Sequence, residues 1–225
     1  MQDKVKSYSL PKNEHKTIWK DQISYYLNVK RALEIFASLL LIIIFSPLFL
    51  LVSLAILITC GRPIFFRQER IGKDAQPFII WKFRTMKENK MAQELNTSLW
   101  INGIADDFIF KSEPSSYVTT IGIWLRKFSI DEIPQLINVL KGDMSFVGPR
   151  PETLKIAKYY NEYQKRRLLV KPGITGYAQI KGRSHMTHGQ KIEYDLYYVK
   201  NQSLSFDLII LFLTIIKVIK TEGAI

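Results

Sequence analysis

Residues 35–60 read IFASLLLIIIFSPLFLLVSLAILITC, an apolar run without a charge, and how that run meets a membrane decides the fold. It exceeds the roughly 18 apolar residues that mark a membrane helix. As a straight helix it would extend roughly 39 Å, against a hydrocarbon core of about 30 Å. Tilt absorbs such an excess, so length discriminates weakly. The flanks say more. Lys30 and Arg31 precede the run, and Arg62, Arg67, Arg70 and Lys73 follow it. A spanning helix would place one basic flank outside, against the positive-inside tendency. A re-entrant hairpin bent at Ser46 and Pro47 would keep both flanks on the cytoplasmic side. Pro47 lacks an N–H and crowds the carbonyl of Ile43, and the Ser46 hydroxyl is available to a freed backbone group. On these features alone the kinked span stays the default.

The 225 residues carry a formal net charge of +12, which points to an anionic partner: nucleic acid, a phospholipid surface or a phosphorylated substrate. No nucleic-acid reader motif is present, which sets the first aside. A lone Cys60 forms no intramolecular disulfide and no zinc-ligand set. The polar N-terminus does not read as a cleavable signal peptide. Residues 1–28 form a polar lead-in with an amphipathic patch at 18–27, residues 29–61 the membrane segment, and residues 62–225 the remaining domain. PIFFRQERIG and QPFIIWKFRTM alternate apolar and polar residues around a turn at 72–77, the pattern of a β-hairpin. Residues 87–116 read as a surface excursion and 154–169 as one charged helix. VKPGITGYAQIKGR (170–183) reads as a glycine-punctuated loop. LSFDLIILFLTIIKVIK (204–220) fits an interfacial or core helix. Trp81, Tyr194, Tyr197 and Tyr198 read as packing residues. His185 and His188, with no acidic or Cys partner nearby, read as polar loop residues.

FSIDEIPQLINVLKGDMSFVGPRP (128–151) is the segment with chemistry in it. Ser129 to Glu132 matches the capping-box spacing S-x-x-E, with Pro134 inside the first turn. Capping accounts for Glu132 but does not require Asp131. An ionised carboxylate beside backbone N–H groups and cations is the setting a nucleophile attacking phosphorus needs, and a second carboxylate suits Mg²⁺. Arginine makes bidentate contacts to a diphosphate. The cationic candidates are Lys82 and Arg84 in WKFRTM, Arg126, Arg150 and Arg183, each of which alone is more often a solvated surface charge. Arg150 stands apart: Pro149 and Pro151 stiffen the backbone on both sides, and Gly148 permits close approach.

Taken together, KRALEI, the SP within the apolar run, GRPIFFRQERIG, FIIWKFRTM, the 125–151 block, VKPGITGYAQIKGR and YDLYYVKNQSLSFDLIILFLTI resemble the bacterial sugar transferases, in their small form of monotopic polyprenyl-phosphate phosphoglycosyl transferases. The segments keep the family's order over residues 29–216. The resemblance implies an α+β, mainly helical fold with a re-entrant membrane helix broken at Ser46-Pro47, a short β-hairpin, interfacial amphipathic helices and a small catalytic domain on the cytoplasmic face of the membrane. It implies a nucleoside (uridine) diphosphate sugar as donor, polyprenyl phosphate as acceptor, membrane lipids as surroundings and no nucleic acid. Asp131 is implied as the nucleophile and Glu132 as the group positioning Mg²⁺. Lys82, Arg84, Arg126, Arg150 and Arg183 would bind phosphate, with the 148–151 turn shaping the surface. The sugar, the glycan and self-association stay open, as does a non-enzymatic scaffold role. Glu34 stands where the family usually has Asp.

Overall fold

The computed structural model describes residues 14–87, 100, 103–109, 117–182 and 186–220. A helix, α1 (Glu14–Cys60), runs unbroken through Pro47, so no loop separates two arms at Ser46-Pro47. The Ser46 hydroxyl donates to the Ile43 carbonyl (2.8 Å), the group that Pro47 leaves without its helical donor. The lead-in is thus already helical from Glu14.

Both halves of α1 lie on the domain that follows. In the first half, Lys30 Nζ donates to Tyr198 Oη (2.9 Å) and the Val147 carbonyl (3.1 Å) and pairs with Asp207 (2.9 Å). Arg31 donates to the Val139 and Leu140 carbonyls. Glu34 is buried, accepting from the Ser145 hydroxyl and the Phe146 N–H. The longer Glu is thus accommodated where the family resemblance suggests Asp. In the second half, Val52 and Ile56 are buried against Phe83 and Leu125. The opposite side of the helix is bare: Leu33, Phe36, Leu40, Ile43, Leu50, Leu54 and Ile58 are exposed. From Tyr25 to Cys60 the helix is long and apolar enough to cross a membrane.

The expected hairpin forms. β1 (Phe65–Ile71) pairs antiparallel with β2 (Pro77–Phe83), from Phe65 opposite Phe83 to Ile71 opposite Pro77. β4 (Glu152–Thr153) adds to the other edge of β1. β3 (Ser145–Val147) and β5 (Gly173–Thr175) make a separate parallel pair. Between β2 and β3 stand α2 (Thr120–Lys127) and α3 (Gln135–Lys141), and α4 (Leu154–Ala157), α5 (Glu162–Lys165) and α6 (Tyr177–Lys181) are single turns or little more. The chain closes with α7 (His188–Asn201) and α8 (Leu204–Ile219). α8 buries Asp207 and Ile210 and exposes Leu208, Ile209, Phe212, Ile215 and Ile219. That is the division expected of an interfacial helix.

Four local expectations are corrected. Residues 154–169 are not one helix: Tyr160 is buried, and Asn161 opens α5 with a capping box closed by Gln164, which interrupts the run. The 87–116 excursion is partly core, because Trp100 and Ile104 pack with Ile156 and Tyr160. The 170–183 stretch is not a plain loop, since β5 and α6 occupy most of it. His188 is no loop residue; it is buried at the start of α7, its ring 5.7 Å from Tyr160. His185 lies outside the described residues.

Candidate active site

The capping box expected at residues 129–132 does not form. Ser129 adopts a left-handed conformation (φ 56°, ψ 22°) and its side chain caps nothing. Residues Ile130–Glu132 make one 3₁₀ turn, and α3 begins after Pro134. A non-glycine residue at positive φ is uncommon and costs roughly 1–2 kcal/mol. The turn that carries the two carboxylates is therefore held by groups distant in sequence.

Those groups are two cations. Strand alternation buries Phe83 against α1 and turns Lys82 to the other face, where its Nζ lies 2.6 Å from Glu132 Oε1. Arg150 Nη2 reaches the same oxygen at 2.9 Å. Burial alone would push the Glu132 carboxyl up, but Lys82 and Arg150 outweigh it and hold this carboxyl well below the usual range. Burial brings Lys82 below its ordinary value, with Glu132 pulling the other way.

Asp131 sits differently. It is 8% exposed, and among the described residues no side chain or N–H bonds its oxygens. Burial first, and then the negative Glu132 beside it, push its carboxyl up to about 6; Lys82, Arg150 and Arg126 moderate the rise. Arg126 itself donates to the Thr85 hydroxyl (3.0 Å). One carboxylate is locked between two cations that hold it low, while the other is unengaged and pushed up to about 6.

Residues 148–151 form as a seat for Arg150. A Cβ on Gly148 would lie 2.3 Å from the Lys171 carbonyl, and one on Gly173 only 2.1 Å from the Gly148 nitrogen. Only glycine lets these backbones meet. Pro149 and Pro151 are buried on either side. Behind the turn, Arg167 donates to the Arg150 carbonyl (2.8 Å), to Tyr160 Oη (2.6 Å) and to Asp195 (2.7 Å). Both ionic partners are 1% exposed. Glu152 follows, paired with Lys191 (2.8 Å) and Arg70 (3.8 Å). Burial alone would raise Glu152, but Lys191 and Arg167 bring it to about 2.

Lys82, Arg126 and Arg150 therefore converge on the Asp131-Glu132 turn. Arg84 does not: β2 ends at Phe83, and the Arg84 guanidinium is spent on the Arg62 (2.9 Å) and Met86 (3.2 Å) carbonyls. Arg183 lies outside the described residues. Sequence reasoning missed Arg167, Asp195 and Lys30. A signal existed for Asp195, because it shares with Ile192 and Tyr198 the buried face of α7 and so places an acid among apolar positions. Arg167 is one of many cations in its stretch and carries no such mark.

Among the described residues no cluster of three metal-ligating side chains occurs. Mg²⁺ needs none, since it is commonly held by one or two carboxylates with water and substrate phosphates completing the shell. Asp131 and the second oxygen of Glu132 fit that limited role.

A family model described as bacterial sugar transferase matches residues 25–221. The "Uncharacterized sugar transferase EpsL" of Bacillus subtilis is 40% identical over 195 residues, 87% of this chain and 89% of that protein. The undecaprenyl-phosphate galactose phosphotransferase of Salmonella typhimurium is 38% identical over 87% of this chain and 41% of its own length. The UDP-glucose:undecaprenyl-phosphate glucose-1-phosphate transferase of Escherichia coli is 36% identical over 84% and 40%. With its dyad, its cations and its apolar helix in the matched region, the chain belongs to the bacterial sugar transferases.

Proposed function

We propose that the protein moves a sugar-1-phosphate from a UDP-sugar to a polyprenyl phosphate, through a phosphosugar carried on Asp131. The observation that carries this reading is the split between the two carboxylates. Glu132 is fixed by Lys82 and Arg150, while Asp131 is left unpaired beside the same cations. An Asp131 oxygen attacks the phosphorus bearing the sugar; a P–O bond forms, and the bond to UMP breaks with its electron pair leaving on UMP. An oxygen of the polyprenyl phosphate then attacks the same phosphorus and releases the Asp131 carboxylate. Arg150, Lys82 and Arg126 offset the charge of the phosphates, which is where most of the rate gain in phosphoryl transfer originates. Mg²⁺, held through Asp131 and Glu132, would supply further charge neutralisation on the diphosphate. The relatives' names support a UDP donor and an undecaprenyl phosphate acceptor.

The helix α1 acts as a re-entrant anchor with both flanks on the cytoplasmic face. Support comes from the docking of both its halves on one domain and from the Ser46 bond to Ile43 at Pro47. A non-enzymatic scaffold would not need cations converging on two carboxylates, so the enzyme is favoured.

Mixing the purified protein with undecaprenyl phosphate and a panel of UDP-sugars is expected to release UMP with at least one donor. Silence across the panel would remove the activity. For topology, Tyr25→Cys and Lys73→Cys, each in a Cys60→Ser background, should both react with an impermeant maleimide in inverted vesicles and in neither case in right-side-out vesicles. Reaction on opposite faces would mean a spanning helix.

A further inference from the structure

A cavity of about 200 Å³ opens beside the dyad, between α1, α3, β5, α6 and α8. Its walls are mainly apolar, with Leu41 and Phe45 contributed by α1. Its polar lining is Ser129, Glu132, Thr175, Gln179, Thr214 and Lys217. Beside it, the buried Gln179 Oε1 atom has no hydrogen-bond partner among the described residues, so the surroundings are not purely hydrocarbon. Among the described residues no carboxylate lies within ion-pair distance of Lys217, which is half-buried. Glu132 is already neutralised by Lys82 and Arg150 and so does not compete for that ammonium.

The two helices that wall the cavity, α1 and α8, are the ones that carry bare apolar faces. Ile43 and Ile44 are exposed on α1, and Phe212 and Ile215 on α8. The cavity that Glu132 helps to line therefore lies between the two helices with bare apolar faces. The lining asks for an amphiphile: an anionic head for Lys217, with a branched hydrocarbon behind it for Leu41 and Phe45. The volume is below the roughly 300–1,000 Å³ of sites that enclose a drug-sized ligand. It suits a head group and the first part of a chain, with the remainder left in lipid.

Resting on the transfer reaction proposed above, we infer that this cavity seats the acceptor. Lys217 binds the phosphate of the polyprenyl phosphate, and Leu41 and Phe45 pack on its first isoprene unit. The acceptor oxygen is thereby delivered to the dyad from the membrane side, while the water-facing cations receive the donor.

The test compares wild type with Lys217→Gln, Lys217→Arg and Leu41→Trp in nanodiscs. It measures binding of undecaprenyl phosphate by native mass spectrometry, and KM for that acceptor and for the UDP-sugar. Lys217→Gln should weaken acceptor binding and raise its KM about tenfold, as for one lost charge-assisted contact, with the KM for the sugar nucleotide unchanged. Lys217→Arg should restore it. Leu41→Trp should fill the cavity and raise the acceptor KM without lowering the melting temperature. Unchanged acceptor binding in both Lys217→Gln and Leu41→Trp would overturn the assignment. So would relief of phosphatidylglycerol inhibition by Lys217→Gln with the acceptor constants unmoved, because the seat would then belong to a bulk phospholipid. Wild type that binds the acceptor but never transfers to it would reject the reaction while leaving the seat standing.

Discussion

Asp131→Asn is expected to abolish transfer, by about 10⁴-fold or more as for loss of other nucleophiles, and at the same time to make the protein more stable. Both effects come from one environment. Burial and the adjacent Glu132 push the Asp131 carboxyl from 3.8 up to about 6. The unfolded chain ionises this group more easily than the folded one. The resulting penalty is absent below about pH 4, grows as the pH rises toward 6, and is complete above it. At about 1.4 kcal/mol per unit the shift corresponds to roughly 3 kcal/mol at neutral pH. The neutral amide removes that penalty, so the melting temperature should rise by roughly 6–12 °C, measured by calorimetry at pH 7.5. The same titration sets the acid limb of the reaction. kcat/KM for the sugar nucleotide should fall tenfold per pH unit below about 6, where Glu132 is still ionised. A profile flat down to pH 4 would exclude an ionised Asp131 as the attacking group.

The second large effect concerns the pair behind the 148–151 turn. Asp195→Ala leaves the Arg167 guanidinium buried without its counter-ion, and breaking such a pair costs about 3–5 kcal/mol. A fall in melting temperature of about 10 °C should follow. Loss of turnover in that variant would be ambiguous, since an unstable protein is a poor enzyme. The double variant Arg167→Met with Asp195→Leu separates the two. Replacing a buried ion pair by apolar residues of similar volume is often neutral or stabilising, so the melting temperature should return close to wild type. Turnover should not, because the Arg150 carbonyl has lost its donor and the guanidinium on Glu132 its fixed backbone. Wild-type kcat in a stable double variant would show that Arg167 positions nothing.

The sequence shows its elements wherever the deciding pattern is local. The β1-β2 hairpin follows from two apolar-polar segments of equal length about a turn at 72–76, and α1 from a long apolar run. Asp131, Glu132, Lys82 and Arg150 stand out in the sequence as two adjacent carboxylates, a strand cation and a Pro-flanked arginine, and the structure brings both cations onto Glu132. What fails is local reasoning about residues whose partners are remote. Ser129 and Glu132 have the spacing of a cap, but Lys82 and Arg150, 50 and 18 residues away, take the Glu132 carboxylate. Arg84 has the alternation of Lys82, yet the strand stops one residue too early to use it. Arg167 and Asp195 meet only because α7 packs across the turn after α5. The break at Tyr160, by contrast, was legible: Asn161 and Gln164 have capping-box spacing within the supposed helix.

Lys30, Arg31 and Glu34 fasten the first half of α1 to β3 and α3, and Phe49, Val52 and Ile56 fasten the second half to β2 and α2. An anchor gripped at both ends is a ruler rather than a tether, and in the proposed function it would set the height of the Asp131 carboxylate above the leaflet. Encounter with a lipid acceptor then becomes a search in two dimensions. Its rate is governed by how many acceptor molecules share each unit of surface, and diluting the vesicles at constant lipid composition leaves it untouched.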